Sequence, residues 1–162
     1  MTYYYVDPLT NVITKKTIPV ITGNETPDFY YPTDRGLFYF YSKVEDAILE
    51  GPLVYNEYTG EFVPQWHSEC KWFMEFHDGM GVHNADWKNR KDFGSKVDVK
   101  KYIKDFGTKT YLSYEDISQI PYDYVPAFLR DYGSHGCINL LDENIDDVVY
   151  IFDKGDKILV KN

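Results

Sequence analysis

The chain has little of the soft chemistry that usually marks a site: two cysteines, four histidines and three methionines in 162 residues. Cys70 and Cys137 could form one disulfide, but a domain with a core of this size does not need one, and free thiols fit at least as well. Neither belongs to a Cys-x-x-Cys pair. His67 near Cys70 and His135 near Cys137 leave any zinc set incomplete, so no metal site is expected. Basic residues are also scarce. Seventeen Lys and Arg against 26 Asp and Glu give a formal net charge of -9. The densest basic run, KNRKDFGSKVDVKK, is diluted by aspartates and reads as a solvated face, which argues against nucleic acid as a partner. An acidic body suits a cationic substrate group such as a free amine. No apolar run reaches membrane-spanning length. The opening MTYYYVDPLTNV has neither the basic nor the apolar region of a signal peptide. Two readings stay open: an intracellular protein, or a chain given without its export signal and anchor.

Aromatic residues are abundant, with 16 Tyr and 10 Phe, and hydrophobic residues make up 43%. With many Val, Ile and Thr, this is the composition of an ordered, strand-rich protein of one domain, 1–162. TYYYVDP and VITKKTIPVITG read as extended runs around the turn DPLTN, and LFYFYS as a further strand. YSKVEDAILEG carries a Ser42/Glu45 capping-box pattern but reads better as strand and turn. GPLVYNEYTGEFVP has the form of a hairpin, and CKWFMEFHDGMGVHNADW that of two strands joined at Asp78-Gly79. The character then changes from Asn89 to Arg130, where DVKKYIKDFG and SYEDISQIP have helical patterns. LDENIDDVVYIFDKG predicts the firmest helix. Asp142 is its candidate cap, Ile145, Val148, Val149 and Phe152 form its apolar face, and Gly155 is its stop. DKILVKN predicts a last strand. The class expected is mainly β (α+β).

Cys137 lies in DYGSHGCINLLDEN, after Gly136 and shortly before the predicted helix. A thiol is a good nucleophile when an imidazole or a helix N-terminus favours its thiolate. The glycine permits a sharp turn whose N–H groups can converge on an oxyanion. The alternative is a buried, inert cysteine at a strand end.

SHGCIN, with GVHNADW upstream and VITG…TP…G near the start, resembles the L,D-transpeptidase catalytic domain of the YkuD type, and the resemblance extends over most of the chain. It implies a β-sandwich of mixed sheets with a C-terminal helix, and a Cys nucleophile, Cys137. The base is then His83, with Asn84 in the position of the orienting group, and His135 has a supporting place in the loop. Ser134 either donates a hydrogen bond in the site or caps a turn. Gly136 acts through its backbone. Asn139, Asn84, Trp87 and Tyr132 are candidates for contact with substrate, and Trp72 for core packing. His67 and His77 read as surface residues and Cys70 as a packed free thiol. His83 and Cys137 lie farther apart along the chain than the family's usual spacing; against the family, the segment of about 89–130 is a lid-like insertion that accounts for the excess. The implied chemistry needs no cofactor. The implied partners are peptidoglycan stem peptides, a tetrapeptide donor and an acceptor amine, outside the cytoplasm at the cell wall or surface. Oligomeric state is left open.

Overall fold

The structure, a computed structural model, describes residues 1–26, 29–88, 90–94 and 134–161. Its strands are β1 (Thr2–Val6), β2 (Ile13–Thr17), β3 (Asn24–Thr26), β4 (Phe29–Tyr31), β5 (Gly36–Tyr39) and β6 (Ser42–Glu50). They continue with β7 (Leu53–Asn56), β8 (Glu61–Pro64), β9 (His67–His77), β10 (Met80–Asn84), β11 (Ile138–Leu140) and β12 (Lys157–Val160). One α-helix among the described residues, α1 (Asp142–Ile151), separates the last two strands.

The central sheet runs β11-β10-β9-β6 and is mixed: β10 and β11 are parallel, the other pairs antiparallel. β9 and β10 form the hairpin expected at Asp78-Gly79. Both turn residues take positive φ, 36° and 78°, the geometry that Asp and Gly tolerate best. β7 and β8 form the second expected hairpin, while β1-β2, β3-β4 and β5-β12 are two-stranded ribbons. YSKVEDAILEG is strand β6 and not a capped helix.

One face of the central sheet carries the main core. Met74 and Phe76 of β9, Val82 of β10, and Ile138 and Leu140 of β11 meet Ile145, Val148 and Val149 of α1, with Tyr3, Ile18 and Phe40. The helix thus buries the stripe that its sequence period predicts, and Phe152 and Trp72 pack at the margin. The opposite face carries a smaller cluster, Ala47, Cys70 and Phe73, against which Leu49 and Cys137 pack.

The termini of α1 differ from the sequence expectation. Leu141, not Asp142, is the N-cap, and it makes no side-chain capping bond. The Asp142 carboxylate instead accepts a 2.7 Å bond from Asn84 Nδ2, a partner in the sheet with no counterpart in local sequence. At the other end the helix stops at Ile151, before Gly155. Lys43 of β6 donates there to Val149 O at 2.6 Å, to Phe152 O at 2.9 Å and to Asp153 Oδ1 at 2.9 Å. An ammonium on the last carbonyls complements the helix dipole and satisfies groups with no intrahelical partner. Lys43→Met is expected to lower unfolding stability by about 2 kcal/mol, the scale of lost charge-assisted hydrogen bonds, as read by urea denaturation. The exposed pairs Lys71–Asp146, Lys16–Asp147 and Arg90–Glu143 tether the helix's acidic face to three other segments, each with a small energy.

The expected helices over DVKKYIKDFG and SYEDISQIP lie outside the described residues, as do Tyr132 and nearly all of the 89–130 segment. Within that segment, Arg90–Asp92 form a short 3₁₀ turn.

Candidate active site

The parallel pairing of β10 with β11 brings the two distant motifs together. Its register sets Val82 opposite Ile138 and His83 opposite Asn139. Cys137, one residue before β11, therefore comes level with Gly81. Because side chains alternate across a strand, Cys137 and Asn139 project to the side that His83 occupies. His83, Cys137, Asn139, Ser134, His135 and Trp87 line one narrow cleft, together with Leu49, Trp66, Ser68 and Lys88. A larger cavity of about 510 Å³ lies between β1 and α1. It is lined by tyrosines and the Lys16–Asp147 pair and holds no thiol or imidazole, so the smaller cleft is where the chemistry gathers.

The loop before β11 is fixed by short-range necessity. Ser134 donates its hydroxyl to the Cys137 carbonyl and its N–H to Thr22 O at 3.0 Å. Asn139 and Ile21 exchange two backbone bonds, of 2.8 and 3.1 Å, so residues 21–23 clasp both ends of the motif. Between them, Gly136 has φ +104°, and a Cβ there would sit 3.3 Å from Met80 Cγ and Sδ. Gly136→Ala meets both backbone strain and a tight contact. It is expected to cost about 1–2 kcal/mol, or about 5 °C in thermal midpoint, as read by thermal unfolding.

His83 is 4% exposed. Its Nδ1 lies 2.7 Å from the Asn84 carbonyl oxygen. A carbonyl can only accept, so Nδ1 carries the proton and Nε2 keeps a free lone pair, as a base requires. Asn84 thus meets the imidazole through its backbone. Its side chain is turned elsewhere: Nδ2 donates to Asp142, and Oδ1 accepts from Trp72 N–H at 3.4 Å. Asn84 does not line the cleft. The His83 ring stacks on Trp87, with centroids 5.9 Å apart and planes 22° apart, and lies against Phe73.

Burial lowers the His83 pKa to about 4, the Asn84 carbonyl opposing it. Burial likewise pushes the Cys137 thiol up to about 11, the Gly81 N–H acting the other way. The thiol also lies 3.9 Å from Gly79 O. Both shifts favour the neutral partners. Moving the proton from sulfur to nitrogen at rest would cost on the order of 10 kcal/mol at about 1.4 kcal/mol per decade of acidity. The resting pair is thiol and imidazole, not thiolate and imidazolium.

His135 is exposed and stacked on Trp66, with centroids 5.4 Å apart and planes 13° apart. Trp66 is a cleft residue with no motif around it in the sequence, and only the approach of the β8–β9 connection to the loop reveals it. Cys70, read from sequence as a packed thiol, is buried and free, and its sulfur is 3.4 Å from His83 Nδ1. His67 is exposed and His77 half-buried at the surface, pairing with Glu50 and Asp34. No cluster of three metal-ligating side chains occurs among the described residues.

Comparison with known proteins fits this arrangement. The family model of the YkuD L,D-transpeptidase catalytic domain matches residues 1–160. No curated protein matches the sequence. Among solved structures, the catalytic domain from E. faecium L,D-transpeptidase is 22% identical, over 99% of this chain and 97% of that one, with a TM-score of 0.51. An L,D-transpeptidase from Mycobacterium smegmatis is 19% identical, over 93% of this chain and 52% of that one, with a TM-score of 0.55. L,D-transpeptidase 3 from Mycobacterium tuberculosis, in complex with a faropenem-derived adduct, is 19% identical, over 90% and 44%, with a TM-score of 0.54. The chain spans about two fifths of the length of other similar structures, 40% and 41% in two cases. At these identities the structural likeness speaks for the fold, and the match to the family model over nearly the whole sequence decides the family: the chain belongs to the YkuD family of L,D-transpeptidase catalytic domains.

Proposed function

We propose that the protein is a peptidoglycan L,D-transpeptidase that forms 3→3 cross-links through a thioester on Cys137. The observation that supports this reading is that one cleft is lined by both His83 of β10 and Cys137, just before the parallel β11, with the imidazole's Nε2 left unprotonated.

In this mechanism His83 Nε2 takes the thiol proton as sulfur attacks the carbonyl carbon of the third residue of a tetrapeptide stem. Because the resting pair is neutral, deprotonation and attack are coupled. Backbone N–H groups around Gly136 and Cys137 hold the developing oxyanion, at about 3 kcal/mol per donor. The imidazolium returns its proton to the leaving amine, the C–N bond breaks, and terminal D-Ala departs. The amine of a neighbouring stem then attacks the thioester. His83 takes that amine's proton, the C–S bond breaks, and the thiol is restored. Trp87, over the imidazole, and Asn139, which lines the cleft though only 2% exposed, are the candidate contacts for the donor peptide, and His135 on Trp66 supports the loop. The protein's own residues supply every step without a metal or organic cofactor. Its substrate places its work outside the cytoplasm, at the cell wall.

Incubation with tetrapeptide stems, with and without an acceptor amine, tests the reading. Dimer formation is expected. Tripeptide alone under both conditions would make the protein an L,D-carboxypeptidase with water as acceptor. Peptidoglycan binding without turnover, unchanged by Cys137→Ala, would make it a non-catalytic wall-binding module.

A further inference from the structure

Cys70 has no part in the mechanism above, yet its sulfur is 3.4 Å from Nδ1 of His83, in a buried contact. That nitrogen already donates to Asn84 O at 2.7 Å. The carbonyl distance fixes the proton on Nδ1, so Cys70 S–H cannot donate there; its sulfur faces the same N–H as an acceptor. We propose, on the reading that His83 is the base for Cys137, that Cys70 is a positioning residue: its sulfur shares Nδ1–H with the Asn84 carbonyl and locks the tautomer that presents Nε2 to the cleft.

The placement fits this task. Cys70 lies on β9, 3% exposed, in the same small cluster as Phe73, which touches the ring from the same strand. When His83 accepts a proton, the positive charge spreads to Nδ1–H, and a polarisable sulfur beside it lowers the cost of charging a buried ring. The titratable groups around the imidazole are Cys70 and Cys137. Asp86, on the turn after β10, acts on Cys70, and Lys88, from the same turn, acts on His135. Burial above all, with Cys137 and Asp86 acting in the same direction, pushes the Cys70 thiol up to about 12, so it stays protonated and does not compete as a nucleophile. Two thiols thus flank one base with opposite duties.

The test compares Cys70→Ser, which keeps an acceptor, with Cys70→Val, which fills the space without one. Two quantities are measured: the pH profile of Cys137 alkylation by iodoacetamide, mapped by peptide mass, and the nitrogen-15 tautomer signature of His83. Cys70→Val is expected to slow alkylation near neutral pH about fivefold, as loss of one modest hydrogen bond implies. It should also move the acid limb of the profile to lower pH, because the imidazolium loses an acceptor, with Cys70→Ser within about twofold of the parent. The parent ring is expected as the Nδ1–H tautomer. An Nε2–H tautomer in the parent would overturn the proposal. So would a Cys70→Val profile matching the parent, or rates that follow only thermal midpoints in both variants. Iodoacetamide needs no wall peptide, so a protein showing this pattern without turning over tetrapeptides would refute the transpeptidase reading and keep the role of Cys70.

Discussion

Cys137→Ala is expected to reduce tetrapeptide turnover by about 10⁴-fold or more, the scale on which removal of a covalent nucleophile acts. The loss should be chemical and not structural. Cys137 is half-buried and only flanks the Ala47–Cys70–Phe73 cluster, so trimming its sulfur removes little packing. Its backbone interactions, including the Ser134 hydroxyl on its carbonyl, are untouched by the substitution. A thermal midpoint within a few degrees of the parent, beside a collapse of turnover, is the expected pair of results. Cys70→Ser, tested in parallel, separates loss of the nucleophile from general sensitivity to thiol replacement.

His83→Gln is expected to lower turnover by about 10²–10⁴-fold, the range for a general base, and to change two pH dependences. In the parent, the lowered pKa keeps the imidazole neutral down to about pH 4, so kcat/KM should stay high on the acid side until near that value. Without the base, thiol reactivity should instead rise with pH toward the Cys137 pKa of about 11. The second dependence is stability. In the unfolded chain His83 takes a proton near its ordinary 6.5, which the folded protein refuses until about 4. The unfolded state binds more protons in that window, so parent stability falls as pH drops from 6.5 to 4. The slope should flatten in His83→Gln. On the alkaline side, Cys137 and Cys70 ionise in the unfolded chain from about 9 but resist in the fold to about 11 and 12. Their contribution is present below pH 9 and is lost as pH rises through that range. Denaturant unfolding at fixed pH values reads both limbs.

Much of this was legible in the sequence because it depends on local patterns. The β9–β10 turn follows from Asp78-Gly79, the buried stripe of α1 from the spacing of Ile145, Val148 and Val149, and the tight turn before Cys137 from Gly136. The motif SHGCIN and the His83 segment identified the family. What could not be read depends on register between distant strands. Strict alternation along β9 would group Cys70 with Trp72 and Met74 on the main-core side. The register with β6 runs on unchanged across this stretch, from Glu45↔Trp72 to Ala47↔Cys70. Cys70 and Phe73, three residues apart, nevertheless share the other face, where His83 lies. No local signal in the sequence marks that departure from alternation. Asp142 shows the same limit: its acid at a helix start looks like a cap, but tertiary contact with Asn84 takes the carboxylate. Trp66 enters the cleft only through its stack on His135.

The central claim, that Cys137 becomes the acyl carrier, is tested most directly by intact mass measurement after incubation with a carbapenem, followed by peptide mapping. The account predicts one covalent adduct, located on Cys137, absent in Cys137→Ala and formed much more slowly in His83→Gln. No adduct on the parent protein, or an adduct that persists in Cys137→Ala, would contradict it.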